Sequence, residues 1–303
     1  MSRRALRLIL NGKAAGHEPL RGAIAALREA GHCIAVRLTW EHGDALRWVA
    51  EADPAEVVVA AGGDGTVNEV VRGLMDRPER ERPALGIVPL GTANDFATGC
   101  AIPADPTAAL QLCATGAPVP IDVGRANDHW FINVASSGFG AEVTANTPPE
   151  LKRLLGGAAY TLMGAILAMN FKPAQGRLLL PEGEISGSSV VAIISNGRQT
   201  GGGKPVAPRA FIDDGLLDVL IIRPVPATGL LQAVRELQTL GHDGEYIFHR
   251  QTPWVEFHPE QPTAINLDGE PVAFDRVRYE VAPRALRLIV PPDCPVLVCS
   301  RKD

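Results

Sequence analysis

One run, Val57-Val58-Val59-Ala60-Ala61-Gly62-Gly63-Asp64-Gly65-Thr66-Val67-Asn68-Glu69-Val70-Val71, constrains this chain more than any other. Three consecutive β-branched residues suit a strand covered on both faces. Gly62, Gly63 and Gly65 strip Cβ atoms from the following turn, so the backbone can bend sharply and a ligand can come close. Thr66 reads as the N-cap of a helix whose apolar stripe is Val67, Val70, Val71 and Leu74. Unpaired N–H groups and the positive end of the helix dipole then face the turn, which favours phosphate.

The kind of phosphate site follows partly from what the run lacks. No Gly-Lys-Ser/Thr follows, so it is not a Walker loop, and the glycine spacing is not that of a dinucleotide fold. Asp64 sits where a carboxylate would repel phosphate. A divalent cation between the two, or an orienting role, makes sense of it; otherwise it is an incidental Asp in a strand-to-helix turn.

At 303 residues, with 46% hydrophobic and 21% charged side chains, the composition is that of a soluble globular protein of two domains or one large one. A net charge of −5, with no basic run longer than Arg3-Arg4, argues against nucleic-acid binding and strong attachment to anionic membranes. Cys33, Cys100, Cys113, Cys294 and Cys299 are odd in number and scattered, which fits buried thiols in a reducing compartment. Histidines show no metal-ligand spacing. No secretory signal or membrane span is expected. The most apolar segment, Gly156–Met169, flanked by Lys152-Arg153 and Lys172, reads as a core helix or a helix edge that touches lipid.

Strands are expected at Leu6–Leu10, Ile34–Leu38, Val57–Val59 and Leu85–Pro89, alternating with helices at Leu20–Ala30, from Asp44 through Ala52, after Gly65 and from Asn94-Asp95. Short turns between them indicate a doubly wound parallel sheet whose ligands gather at the carboxyl edge. Beyond residue 125 the pattern changes. Apart from helices at Pro149–Met169 and Ala227–Leu240 it is mostly strands, among them Trp130–Ala135, Ser189–Ser195, Leu217–Ile222, Thr263–Leu267, Arg278–Val281 and Leu286–Val290. We therefore expect an α/β nucleotide-binding domain over 1–125 and a mainly antiparallel β-sandwich substrate domain over 126–303, with the last strands free to pack back on the first domain.

Gly62-Gly63-Asp64-Gly65-Thr66, followed by Pro89-Leu90-Gly91-Thr92-Ala93-Asn94-Asp95-Phe96-Ala97, resembles the diacylglycerol kinase catalytic superfamily, and within it the bacterial YegS-type lipid kinases. The resemblance runs over essentially the whole chain. It includes Leu38-Thr39-Trp40-Glu41, Gly197–Gly203, Asp213–Leu217, Asn266-Leu267-Asp268-Gly269-Glu270-Pro271 and Pro291–Pro295. The Gly-Gly-Asp-Gly element alone is shared with NAD kinases and phosphofructokinases.

That resemblance implies an ATP- and Mg²⁺-dependent kinase acting on a hydroxyl of a membrane lipid such as diacylglycerol or phosphatidylglycerol. Gly62, Gly63, Asp64, Gly65, Thr66, Val67 and Asn68 would cradle the ATP phosphates, with Thr39 and Thr92 lining the nucleotide site. Asp64 would help to place the metal–nucleotide complex, and Glu270 would be the general base. A further Mg²⁺ (or Ca²⁺) would sit on the Asp214 side chain and the carbonyls of Phe211 and Leu216. A cytoplasmic protein in transient contact with the inner membrane face is implied.

Each role is chemically reasonable. Phosphoryl transfer needs an aligned alcohol and electrostatic cover for the phosphoryl oxygens, and a carboxylate in reach of the hydroxyl removes its proton. Taken alone, Asp268-Gly269-Glu270 is a hairpin turn with a solvated Glu and Asp213-Asp214-Gly215 a plain turn. Gly201-Gly202-Gly203 is a flexible loop, or one whose backbone approaches a headgroup or phosphate. A soluble-metabolite kinase of NAD type and a non-catalytic nucleotide- or lipid-binding regulator are the competing readings.

Overall fold

The computed structural model describes residues 3–137, 173–241 and 243–298. Its first half alternates strands β1 (Ala5–Asn11), β2 (Cys33–Thr39), β3 (Val57–Gly62) and β4 (Ala84–Pro89) with helices α1 (Glu18–Glu29), α2 (Asp44–Ala50), α3 (Asp64–Met75), α4 (Asp95–Gly99) and α5 (Pro106–Thr115). The four strands are parallel in the order β2-β1-β3-β4. Every residue of β3 and β4 is buried, which is why they read as unbroken apolar runs. Helix α1 packs on α5, and α2 on α3. Right-handed crossovers put these pairs on opposite faces, so the sheet is doubly wound.

The second half is antiparallel. Strands β7 (Val134–Ser137), β10 (Val191–Ser195), β13 (Leu217–Ile222), β14 (Ile247–Thr252), β16 (Thr263–Leu267) and β17 (Glu270–Phe274) form one sheet, ordered β14-β13-β10-β7-β16-β17. Strands β5 (Pro118–Ala126), β6 (His129–Phe131), β8 (Ala174–Leu180), β9 (Gly183–Ser189), β15 (Trp254–Pro259) and β18 (Val277–Ile289) extend the first sheet. The two sheets enclose a core that includes Phe131, Ile194, Val219, Phe248 and Tyr279, in the manner of a β-sandwich. The outer face of the six-stranded sheet is closed by α6 (Leu230–Thr239), through Ala233 and Val234.

Strand β18 ties the halves together. Its start pairs with β15, its length with β5, and its end runs parallel to β4 at Leu288↔Leu85. The sequence suggests two strands here, and the structure has one bulged strand. The bulge lies between Ala282 and Leu286, with Arg284 at φ +54°. Asp122, fully buried, fills it by accepting from Arg284 N at 2.7 Å and Gly215 N at 2.7 Å. Trp130–Ala135, expected as one strand, is split into β6 and β7 because the backbone at 132–134 turns its N–H groups to a side chain, as set out below. Strands β9, β14 and β17 carry too mixed a pattern to stand out in the sequence. The expected helix at Pro149–Met169, with its lipid-facing edge, lies outside the described residues.

Candidate active site

Because the four strands are parallel, Asn11, Thr39, Gly62 and Pro89 all end at one carboxyl edge, and the strand order reverses at β1, where open α/β sheets bind ligands. Thr39 closes β2 opposite Asn11, and Thr92 is exposed in the turn after β4. The two glycine turns touch. Leu90 N donates to Gly62 O at 2.8 Å, and a Cβ built on Gly91 would stand 2.5 Å from the Cα of Gly63. Glycine at position 91 is what lets the backbones approach this closely, and a Cβ on Gly63 would be a tight 3.1 Å from the Cα of Gly91.

Thr66 is not the N-cap. Gly63 takes that place in extended conformation, α3 begins at Asp64, and no side chain caps it. Thr66 instead folds under the turn, where a Cβ on Gly62 would meet its Oγ1 at 2.3 Å. Asn11 Nδ2 donates to the same hydroxyl at 3.4 Å. The N-cap residue thus offers no side-chain acceptor to the first-turn N–H groups of α3, which favours an anion at this helix start. Gly65 is exposed there, while the Val67 side chain is core and leaves only its backbone for a ligand.

Two carboxylates stand at this edge. Asp64 Oδ1 accepts from Phe96 N at 3.4 Å; burial, and then the nearby charge of Asp95, raise its carboxyl above the usual range. Asp95 is 5% exposed and accepts from Gly202 N at 3.1 Å and Gly203 N at 2.6 Å. Like charges held together in a half-buried place fit a bound cation.

The strongest polar node is Asp268. Its carboxylate takes N–H bonds from Ile132 at 2.7 Å, Asn133 at 3.0 Å and Val134 at 2.8 Å. A fourth comes from Asn68 Nδ2 at 3.0 Å. Burial raises this carboxyl and the four donors pull against it. Asp268 and Gly269 lie at φ +49° and +102°, a bend that turns the carboxylate inward. Glu270, the next residue, starts β17 and is exposed.

The links close into a ring. Asn133 Nδ2 donates to Gln199 O at 3.0 Å, and Gln199 Nε2 to Asp95 O at 3.0 Å. Asp95 opens α4, which meets Asp64; Asp268 returns to Asn68, one turn beyond Asp64 on α3. Glycine turn, second turn and the Glu270 segment are thereby one hydrogen-bonded unit. Asn133 and Gln199 carry no sequence signal for this role. Asp95 and Asp268 lie inside segments singled out above, but their function as acceptors emerges only from the contacts.

The segment Phe211–Leu216 lies apart from this ring, beside Asp122. The Arg198 guanidinium stands 4.6 Å over the Phe211 ring, Asp214 Oδ1 accepts from Leu216 N at 3.0 Å, and Asp213 Oδ1 accepts from Val298 N at 2.7 Å. Among the described residues no three His, Cys, Asp or Glu side chains gather as a metal site. A cation here would rest on carbonyls as well as on Asp214, an all-oxygen set of the kind hard cations take.

A doubly wound sheet with an uncapped glycine turn and paired carboxylates, closed by a β-sandwich bearing an exposed Glu, is suited to phosphoryl transfer, and the family that the chain matches is one of phosphotransferases with an alcohol acceptor. Residues 5–126 match the diacylglycerol kinase catalytic domain and residues 133–290 the YegS C-terminal NAD kinase beta sandwich-like domain, and the chain belongs to this family. A protein of Shewanella frigidimarina named "Probable lipid kinase YegS-like" is 45% identical over 298 residues, 97% of this chain and 96% of that one. One of the same name from Chromohalobacter salexigens is 49% identical over 287 residues, 94% and 92% of the two chains. A solved structure from Bacillus anthracis str. Sterne superposes with a TM-score of 0.77 at 25% identity, over 96% of this chain and 98% of that one. Another, described as a diacylglycerol kinase, gives 0.72 at 22% identity over the same shares and speaks for the fold alone.

Proposed function

We propose that the chain transfers the γ-phosphoryl group of ATP to a hydroxyl of a membrane lipid, with Glu270 as general base. The observation that carries this reading is the Asn68–Asp268 bond of 3.0 Å, which couples the helix of the glycine turn to the residue two before Glu270. Lipid-kinase names among relatives that match nearly the full chain support the acceptor class.

The uncapped start of α3 and the Gly62–Gly65 turn hold nucleotide phosphates by their N–H groups, with Thr39 and Thr92 at the edge of the site. Asp64 is the side chain suited to hold a Mg²⁺ brought in with the nucleotide, which would supply charge cover for the phosphoryl oxygens. Glu270 accepts the hydroxyl proton as the oxygen attacks. Being exposed, it is desolvated only when lipid covers it. Asp214, with the carbonyls of Phe211 and Leu216, would hold a further hard cation. Among the described residues no helix is long and apolar enough to cross a membrane; the proposed protein meets its lipid by peripheral contact from the cytoplasm.

The test is transfer of labelled phosphate from ATP with Mg²⁺ into extracted membrane lipids and, in parallel, into NAD, for wild type and Glu270→Ala. A labelled lipid that falls by on the order of 100-fold in the variant is expected. Label in NAD and in no lipid would overturn the reading.

A further inference from the structure

Strands β11 (Gln199–Thr200) and β12 (Lys204–Pro205) form a hairpin held at two ends. Its base is fixed to the sandwich by Asn133, itself bonded to Asp268. Its tip is Gly201-Gly202-Gly203, at φ +62°, +82° and +82°. All three glycines are exposed, and a Cβ on Gly202 or Gly203 would meet nothing within 4 Å. The surrounding protein therefore does not require glycine there for want of space. The backbone angles require it, and so would a ligand approaching the turn.

Consecutive N–H groups in such a turn converge on one anion. Here the anion is the protein's own: the Asp95 carboxylate takes Gly202 N at 3.1 Å through each oxygen and Gly203 N at 2.6 Å. Carboxylate and phosphate oxygens accept such bonds alike. Lys204, the next residue, is exposed and makes no ion pair among the described residues. Asp64 accepts from the N–H of Phe96, the residue after Asp95, at 3.4 Å, so a cation drawn to the two carboxylates would compete for the Asp95 charge.

We infer that the Gly202–Lys204 turn is a second phosphate-binding site, held by Asp95 in this structure and passed to a phosphate oxyanion once a cation takes the Asp95 carboxylate. This rests on the phosphotransferase reading above. The oxyanion belongs to the transferred γ-phosphate or to the headgroup of a phospholipid acceptor, and binding measurements separate the two.

The probes are AMP-PNP against ADP, and dihexanoyl phosphatidylglycerol against dihexanoylglycerol, titrated calorimetrically into wild type, G202A/G203A, D95N and the triple variant. If the turn holds the γ-phosphate, G202A/G203A weakens AMP-PNP about tenfold and leaves ADP unchanged. If it holds the headgroup, the nucleotides are unchanged and only phosphatidylglycerol weakens by that factor. D95N, read without metal, tightens the same phosphate-bearing probe, and the gain disappears in the triple variant. Equal effects on both members of each pair, no effect in a variant of unaltered melting temperature, or a D95N gain that persists in the triple variant would overturn the inference. Should wild type label no lipid at all, the lipid-kinase reading fails, while these ratios still decide the turn.

Discussion

At the scale of single residues, the site is built from carboxylates doing different jobs. Asp268 is saturated with N–H donors and positions; Glu270, two residues on, is exposed and free to meet a hydroxyl. Asp268→Asn would set an amide NH₂ against backbone N–H groups, and we expect urea unfolding to lose about 2–3 kcal/mol. A loss under about 0.5 kcal/mol would show that the node carries little. Asp64 behaves differently. Burial and Asp95 hold its folded carboxyl above the unfolded value. Its favourable contribution is therefore complete below the unfolded value and is lost as pH rises through the folded one. Asp64→Asn should raise the melting temperature at pH 7 by about 1–2 °C. In calorimetry at about pH 3, where both forms are neutral, that gain should be gone. A gain that persisted in acid would rule out charge as its cause.

At the scale of elements, the two glycine turns stand or fall together. A Cβ at Gly91 would lie 2.5 Å from the Cα of Gly63, a backbone contact that no rotamer change relieves. Gly91→Ala should therefore weaken ADP binding by about tenfold or more, read by calorimetry, even though Gly91 itself is exposed. Unchanged affinity would mean that the turns need not touch. Much of this was legible in the sequence, since buried parallel strands are apolar throughout and glycine turns announce the helix starts behind them. The N-cap was not. Thr66 looks like a cap because its hydroxyl suits one, whereas Gly63 takes the N-cap place with no side chain to offer the first-turn N–H groups. The break between β6 and β7 was equally hidden, because Ile132–Val134 read as strand until Asp268, distant in sequence, draws their N–H groups together. Polar nodes formed across a hundred residues have no local pattern.

For the molecule as a whole, the two halves are not separable. Leu286, Leu288, Ile289, Cys294, Val296 and Leu297 belong to the core of the α/β half, and β18 covers the edge of β4. Residues 1–126 expressed alone should lack a cooperative thermal transition, and the intact chain should unfold in one step by circular dichroism. A well-folded fragment would refute this. The proposed function depends on the same stitching, because the ring from Asp64 through Asp95, Gln199, Asn133 and Asp268 to Asn68 crosses between the halves. Asn68→Ala cuts it where helix α3 meets the Glu270 segment while sparing the glycine turn. The most direct measurement is single-turnover phosphate transfer alongside ADP affinity in this variant. We predict transfer slowed by about tenfold or more with ADP affinity within twofold of wild type. Transfer at the wild-type rate, or a loss matched by an equal loss of ADP binding, would contradict the coupling of the glycine turn and the Glu270 segment into one active site.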